Sequence, residues 1–402
     1  MEVLLAHPGT QYSHQLARQL FSHGSLYEFW TGFALAKDTW RTQILDKYLP
    51  EAWHRRIANR MIANLPGKHL RTMPLLELEA LRRLRNGSSP QSVFHKRNRR
   101  FQERIPTSSI ENASVVIGFD TSSWVIAAKA LKFGKPFCLD QSIAHPLTNQ
   151  STSEVVADSF PNWATTIERR LPEVLACENC EHDLATKIVV ASSFTKQSLI
   201  FHGVSGGKIV VNPYGVDLTL FHPPEEPRAR KPLRFLFLGS ISARKGVPLL
   251  IEAWRNLELQ NAELWLAGPI GDAERKLIPN LAGLNVLGKL PFEALPDLLR
   301  LCDVLVFPSY CEGFALVLLE ALASGMPIIT TEATAGPDLI DDKREGILIP
   351  SGSLDALQEA INYLVENAEE LEQMSVAARK CAEKFSWDSY GDRWERILQE
   401  FV

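Results

Sequence analysis

"FPSYCEGFALVLLEALASGMPIITT", Phe307 to Thr331, decides the fold. The apolar strand "DVLVF" ends at Pro308 and Ser309, the chain turns at Gly313, crosses an apolar segment and enters a second strand-like run, "MPIITT". Strand, helix and strand in so short a span make a βα unit whose strands are buried on both faces. From Phe314 to Ala323 the single polar residue is Glu320, and Glu312 stands eight positions before it. A helix apolar on all sides is a buried helix, and a buried glutamate needs a compensating partner. Glu320 either pairs with a buried Arg or Lys, or faces a cleft where it accepts hydrogen bonds from a vicinal diol such as ribose.

The same alternation runs outward in both directions. "EVLLAHP", "ASVVIGFD", "KPFCLD", "KIVVASS" and "KIVVNPYG" read as buried parallel strands, with helical patterns such as "SHQLARQLFSHG" and "SWVIAAKALKFG" between them. The segment "LTLFHPPEEPRARKP" after Asp217 is dense in proline and charge, and marks a linker. Beyond it the pattern restarts with "LRFLFLG", "AELWLAG", "LNVLG", "DVLVFPS", "MPIITT" and "GILIPS". The expected class is α/β, with two doubly wound domains that bind ligands outside the carboxyl ends of their strands. Asp217 itself reads as a cap or hinge contact.

With 402 residues, 45% of them hydrophobic, the chain is long enough for two well-packed cores. A net charge of −4 and a pI near 6.2 point to neither nucleic acid nor an acidic partner. The average hides a basic segment, 51–104, with thirteen Lys/Arg against four acids. Its apolar residues Trp53, Ile57, Met61, Ile62, Leu75, Leu76, Leu78, Leu81 and Leu84 recur at helical spacing. Two readings stand side by side: an amphipathic surface for anionic lipid or a lipid-diphosphate acceptor, and a solvated helical excursion packed on its own domain. The six cysteines are dispersed in apolar runs, as suits reduced core thiols in a cytosolic protein. Cys177 and Cys180 form one CxxC near His182, but no second ligand pair accompanies them, so a structural role is expected and no metal site. "MEVLLAHPG" reads as a first strand and not as a signal peptide.

"FLFLGSISARKG" opens the second half with a strand, a glycine turn and the adjacent cations Arg244 and Lys245. Cations on such a loop either hold a diphosphate or stand as a solvated charge pair. The backbone N–H groups of Ala315, Leu316 and Val317, at the start of the apolar helix, add unpaired donors and the helix dipole.

Together, "SARKG", "FPSYCEGFALVLLEALASGMPIITT" and "KIVVNPYGVDLTLFHP" resemble the signatures of family-4 retaining glycosyltransferases of the GT-B fold, whose E-x7-E motif corresponds to Glu312 and Glu320. The resemblance covers roughly residues 185–350. It implies two Rossmann-like domains facing a central cleft: an acceptor domain, 1–217, carrying the basic insert (about 51–106) and receiving a C-terminal helix (about 386–402), and a donor domain, 218–385. It further implies transfer of a sugar, with retention, from a nucleotide-diphosphate sugar, a UDP- or GDP-sugar, to a polysaccharide, glycolipid or lipid-linked acceptor. No cofactor or obligatory metal is expected, in keeping with the lack of a D-x-D motif. The implied setting is cytoplasmic, or peripheral on the inner membrane face.

By the same resemblance, Arg244 and Lys245 hold the diphosphate, Glu312 contacts the transferred sugar, and Glu320 the ribose. Gly313, Phe314, Ala315, Leu316 and Val317 surround the donor, with Gly239 and Gly268 at strand ends. The segment Leu287, Gly288, Lys289 and Leu290 lies where the base is held. On the acceptor side stand Gly9, Asp140 and His145, with His145 the expected residue near the reacting centre or else a structural histidine. His7 is an acceptor contact or only a strand-end polar residue. Gly239 is followed by Ser240 where many members carry arginine, which shifts phosphate contact onto Arg244. A nucleotide-sugar epimerase of the same fold, or a catalytically silent binding subunit, are the competing readings.

Overall fold

The computed structural model describes residues 1–9, 12–36, 60–62, 64–167, 169–226 and 232–401. Trp53 and Ile57 of the basic segment lie outside them. The strands are β1 (Val3–His7), β2 (Leu26–Thr31), β3 (Leu35–Ala36), β4 (Met61–Ile62), β5 (Leu70–Thr72), β6 (Val115–Phe119), β7 (Phe137–Gln141), β8 (Lys187–Val190), β9 (Ile209–Val211), β10 (Leu233–Leu238), β11 (Ala262–Ala267), β12 (Leu284–Gly288), β13 (Val304–Phe307), β14 (Ile328–Thr331) and β15 (Gly346–Ile349).

The first sheet runs β5-β2-β1-β6-β7-β8-β9 and the second β12-β11-β10-β13-β14-β15, with parallel pairing throughout both. In each sheet the first strand lies inside and the winding reverses beside it, between β1 and β6 and between β10 and β13. Such a reversal opens a crevice at the strands' carboxyl ends. The strands flanking the crevices, β1, β6 and β13, are buried along their whole length, which is why they read as unbroken apolar runs.

Three elements differ from the sequence reading. β2, "LYEFWT", carries a buried Glu28 that bonds the Trp30 indole (2.8 Å) and pairs with Arg71 of β5 (3.1 Å). A polar residue in the middle of the run hid the strand. β5 lies inside the basic segment expected to be helical, and Met61–Ile62 form β4 instead of continuing a helix. The rest of that segment is helical, over Pro74–Arg85 and Pro90–Glu103, as its periodicity predicts.

The chain crosses between the sheets twice, and the crossings touch: the Val216 N–H donates to the Phe385 carbonyl (2.9 Å), and Val216 bridges Ser386. The helix Trp387–Gln399 then packs on the helix Ser13–Ser22 of the first lobe, burying Tyr390, Trp394 and Leu398. Gln19 to Asp388 (3.2 Å), His23 to Asp392 (3.0 Å) and Ser25 to Glu395 (2.7 Å) line the seam. Asp217, beside the crossing, accepts from Thr219 N–H (3.0 Å) and Leu220 N–H (3.1 Å). Among the described residues no helix is long and apolar enough to cross a membrane.

Candidate functional site

The loop after β10 and the loop after β13 meet at the second crevice. Tyr310 N–H donates to the Arg244 carbonyl (3.0 Å), which fixes where the two cations emerge. Arg244 Nη1 and Lys245 Nζ then converge on one oxygen, Glu312 Oε1, at 2.9 and 3.0 Å, and Arg244 also donates to the Cys311 carbonyl. Burial would raise the Glu312 carboxyl, but the Arg244 and Lys245 charges outweigh it and hold the group below the usual range. Glu312 is therefore an anion at neutral pH, and removal of both cations would leave it buried and uncompensated.

Gly313 is one of the places where the two lobes touch. A Cβ on it would lie 1.8 Å from the Ser142 carbonyl oxygen of the first lobe, so only glycine fits. Its own carbonyl accepts from Thr195 Oγ1 (3.0 Å) and Ser192 Oγ, and the Ser193 N–H donates to Asp338 Oδ2 (2.8 Å). Phe314 is buried edge-on against Tyr214, ring centres 5.1 Å apart, which anchors the loop. Ala315 caps the helix Leu316–Ala323 with φ 67° and ψ 80°. A residue with a Cβ pays roughly 1–2 kcal/mol in that left-handed region. The strain turns the chain abruptly from the Glu312 loop into the helix, where the N–H groups of Leu316 and Val317 precede the first bond of the turn, Leu318 N–H to the Ala315 carbonyl (2.9 Å).

Glu320 sits a turn and a half into that helix, half-buried, and among the described residues no cation meets its carboxylate. Burial pushes it up to about 7. Pairing with a buried Arg or Lys is thus not what the structure has. Gly239 and Gly268 close the ends of β10 and β11, and a Cβ on Gly268 would lie 1.8 Å from the Gly239 carbonyl. Lys289, exposed, and Leu290, half-buried, follow β12 on the same side of the sheet.

At the first crevice, Asp140 lies at the end of β7 and accepts from Tyr12 (2.9 Å), while its second oxygen is buried with no hydrogen-bond partner among the described residues. Burial raises its carboxyl well above the usual range; the Tyr12 bond opposes this and the neighbouring Asp120 adds to it. His7, ending β1, bonds Ser122 (3.3 Å), has its Nε2 buried without a hydrogen-bond partner among the described residues, and is pushed down to about 3 by burial and then by Arg97 and His14. Gly9 follows, half-buried beside the His7 ring. Asp120, which ends β6 and accepts from Ser142 N–H (2.8 Å) and Oγ (3.0 Å), went unremarked in the sequence. An aspartate closing the apolar run "ASVVIGFD" was the available signal.

His145 follows a few residues beyond the end of β7. It caps the helix Pro146–Ser159, its Nδ1 accepting from Leu147 N–H (3.2 Å), and its ring stacks on His202 (4.3 Å) and neighbours His182 (5.3 Å). Burial, with His182 and His202 adding, pushes it down to about 3. His182 bonds Gln141 (3.0 Å). The Cys177 thiol is pushed up to about 11 by burial and by Glu181, which leaves it without thiolate character at neutral pH.

Residues 221–381 match the family profile described as "Glycosyl transferases group 1". Residues 221–381 of the second lobe thus resemble a group 1 glycosyl transferase domain, and the two-sheet frame has the GT-B architecture of solved glycosyltransferases. The chain is 31% identical over 277 residues to the MMP alpha-(1->4)-mannosyltransferase of Mycolicibacterium hassiacum, a match covering 66% of this chain and 66% of that relative's length. Two solved structures share the fold: sucrose-phosphate synthase of Thermosynechococcus elongatus (TM-score 0.70, 18% identity, 100% of this chain and 98% of the other) and HepE of Anabaena in complex with UDP-glucose (TM-score 0.64, 14% identity, 100% of each).

Proposed function

We propose that the protein is a retaining glycosyltransferase that moves a sugar from a nucleotide-diphosphate sugar to a hydroxyl of a glycan or lipid-linked acceptor. The observation that carries this is the convergence of Arg244 and Lys245 on Glu312 (2.9 and 3.0 Å) ahead of a helix N-terminus, with Glu320, which meets no cation among the described residues, on that helix. Residues 218–385 bind the donor, and residues 1–217 with 386–402 the acceptor.

Arg244, Lys245 and the N–H groups of the helix's first turn face the diphosphate, and the charge that develops there on bond cleavage is where preorganised donors act most strongly. Glu312 accepts from hydroxyls of the transferred sugar, and Glu320 from the ribose diol. The acceptor oxygen attacks the anomeric carbon on the face from which the diphosphate departs. The bond from that carbon to the phosphate oxygen breaks with its electron pair on the phosphate, which takes the acceptor's proton. The proposed transfer is metal-independent: Arg244 and Lys245 exceed the Glu312 anion by one positive charge, and the helix N-terminus adds to it. UDP- and GDP-sugars are the donors proposed first, and HepE, the structural neighbour solved with UDP-glucose, supports that choice.

Leu75, Leu78 and Leu81 stand 74%, 62% and 50% exposed on a helix that also carries Arg82, Arg83 and Arg85, which supports peripheral contact of this face with an anionic membrane. Sedimentation with anionic and with neutral vesicles tests it, and equal partition between the two would remove the idea. The transfer itself is tested by incubating the protein with UDP- and GDP-sugars and a glycan panel: product retaining the donor's anomeric configuration is expected, and donor consumed with inversion or without an acceptor would contradict it.

A further inference from the structure

The Gly313 carbonyl belongs to the second lobe, yet two donors from the first lobe reach it. Ser192 Oγ and Thr195 Oγ1 (3.0 Å) both donate to it, and both side chains are fully buried. A carbonyl oxygen has two lone pairs, and a single donor would satisfy a buried one. Two donors from different residues also fix the plane of the peptide. Ser192 caps the helix Ser193–Phe201 by accepting from Thr195 N–H (3.2 Å), so the pair that grips Gly313 is itself locked in place.

A second strut accompanies the first. Asp338 of the second lobe accepts from Ser193 N–H (2.8 Å), a donor that the first turn of that helix leaves over. Asp338 and the Gly313 loop are laced together: Glu312 N–H donates to the Ala333 carbonyl (2.9 Å), Ala335 N–H to the Phe314 carbonyl (3.3 Å), and Asp338 N–H to the Ala335 carbonyl (3.0 Å). On the first-lobe side, Ser198 Oγ donates to the Thr195 carbonyl (2.8 Å) and accepts from His145 N–H (3.0 Å), which ties the same helix to the start of the helix Pro146–Ser159. Glu312 stands one peptide away from Gly313, about 3.8 Å along the chain, so a displaced Gly313 carries Glu312 with it.

We propose that Ser192 and Thr195 are positioning residues for the transfer: reaching across the lobe boundary, they hold the Gly313 peptide and through it set where Glu312 meets the transferred sugar, with Asp338 bracing the same contact. The inference rests on the glycosyltransfer reading above.

Thr195→Val tests it, because the change removes one donor while keeping the shape of the side chain and the Ser192 cap. Hydrogen exchange of the segment 310–317, read by mass spectrometry on the full chain, should quicken about fivefold, since a buried carbonyl loses a donor. With the UDP- or GDP-sugar that the wild type consumes over a glycan panel, kcat should fall about tenfold while the donor KM stays within about threefold, because a misplaced Glu312 costs transition-state geometry. The contacts of Arg244 and Lys245 lie within the second lobe and are untouched by the change. Thr195→Ser, which restores the hydroxyl, should recover both exchange and kcat. A merely structural Thr195 would lower the thermal midpoint without splitting kcat from KM. The proposal is overturned if the segment exchanges at the wild-type rate in Thr195→Val, if kcat is unchanged or KM rises as much as kcat falls, or if Thr195→Ser recovers neither. Should Thr195→Val fail to fold, Asp338→Ala, which removes the second strut at a half-buried side chain, is read in the same two assays. Failure of the transferase reading would look different: the wild type would consume no donor, while exchange of the segment 310–317 would still report whether the two hydroxyls hold the loop.

Discussion

Glu320→Gln should stabilise the unliganded protein and weaken its hold on nucleotide, two effects of opposite sign from one carboxylate. The Glu320 group is pushed from 4.5 to about 7 by burial alone. The unfolded chain therefore loses this proton near 4.5 while the folded one keeps it to about 7. Between those values the native state binds more protons, so its stability falls as pH rises through the window. At about 1.4 kcal/mol per pKa unit the full penalty is about 3 kcal/mol above pH 7, and about 2 kcal/mol once discounted for screening at the carboxylate's residual exposure. Urea denaturation of wild type and Glu320→Gln at pH 5 and pH 8 reads it directly: the variant should be more stable by about 2 kcal/mol at pH 8, with most of that difference gone at pH 5. Nucleotide affinity should fall about tenfold or more, because a hydrogen bond to a charged group contributes about 1.5–3 kcal/mol. Equal stability at pH 8, or a gain that does not shrink on acidification, would refute the reasoning, since either would mean that Glu320 has a compensating partner.

Arg244→Ala combined with Lys245→Ala should lower affinity for a nucleoside diphosphate by at least tenfold and leave the nucleoside nearly unaffected, measured by calorimetry; equal losses would move the diphosphate elsewhere. Gly313→Ala must displace the Ser142 carbonyl that would stand 1.8 Å from the new Cβ, so small-angle scattering should show a more open particle and turnover should drop at least tenfold, whereas unchanged scattering would mean the lobes do not hold this contact in solution. His145 and His182, pushed down to about 3 and about 4 by burial, stay neutral in the folded state while the unfolded chain protonates them near 6.5. Their contribution is present above pH 6.5 and is lost as pH falls toward 4, so His145→Asn, which keeps a capping side chain, should flatten the loss of stability measured between pH 7 and 5.

What the sequence made legible follows from how each contact is encoded. β10, β13 and β14 are buried on both faces, so their apolar runs announce them, and Glu312, Arg244 and Lys245 lie within a few residues of the strand ends that bring them together. β2 was hidden because Glu28 is buried by virtue of Arg71, some forty residues away in a segment whose other apolar positions repeat at helical spacing. The environment of His145 was out of reach for the same reason: His182 and His202 arrive from other elements, and nothing local in the sequence brings the three rings together. The touch of Gly313 on Ser142 joins residues 171 positions apart, and nothing local in either stretch prescribes it.

The central claim is that the loops after β10 and β13 hold a nucleotide-diphosphate donor. A thermal-shift titration of the full chain against UDP, GDP, ADP and dTDP and their sugar conjugates, with and without EDTA, tests it most directly. A ligand bound by the native state alone raises its stability by RT ln(1 + [L]/Kd), about 2.7 kcal/mol at a hundredfold excess over Kd. One nucleotide family should raise the midpoint, the chelator should leave the rise unchanged, and Glu320→Ala should reduce it. No rise with any of them at millimolar concentration would contradict the account.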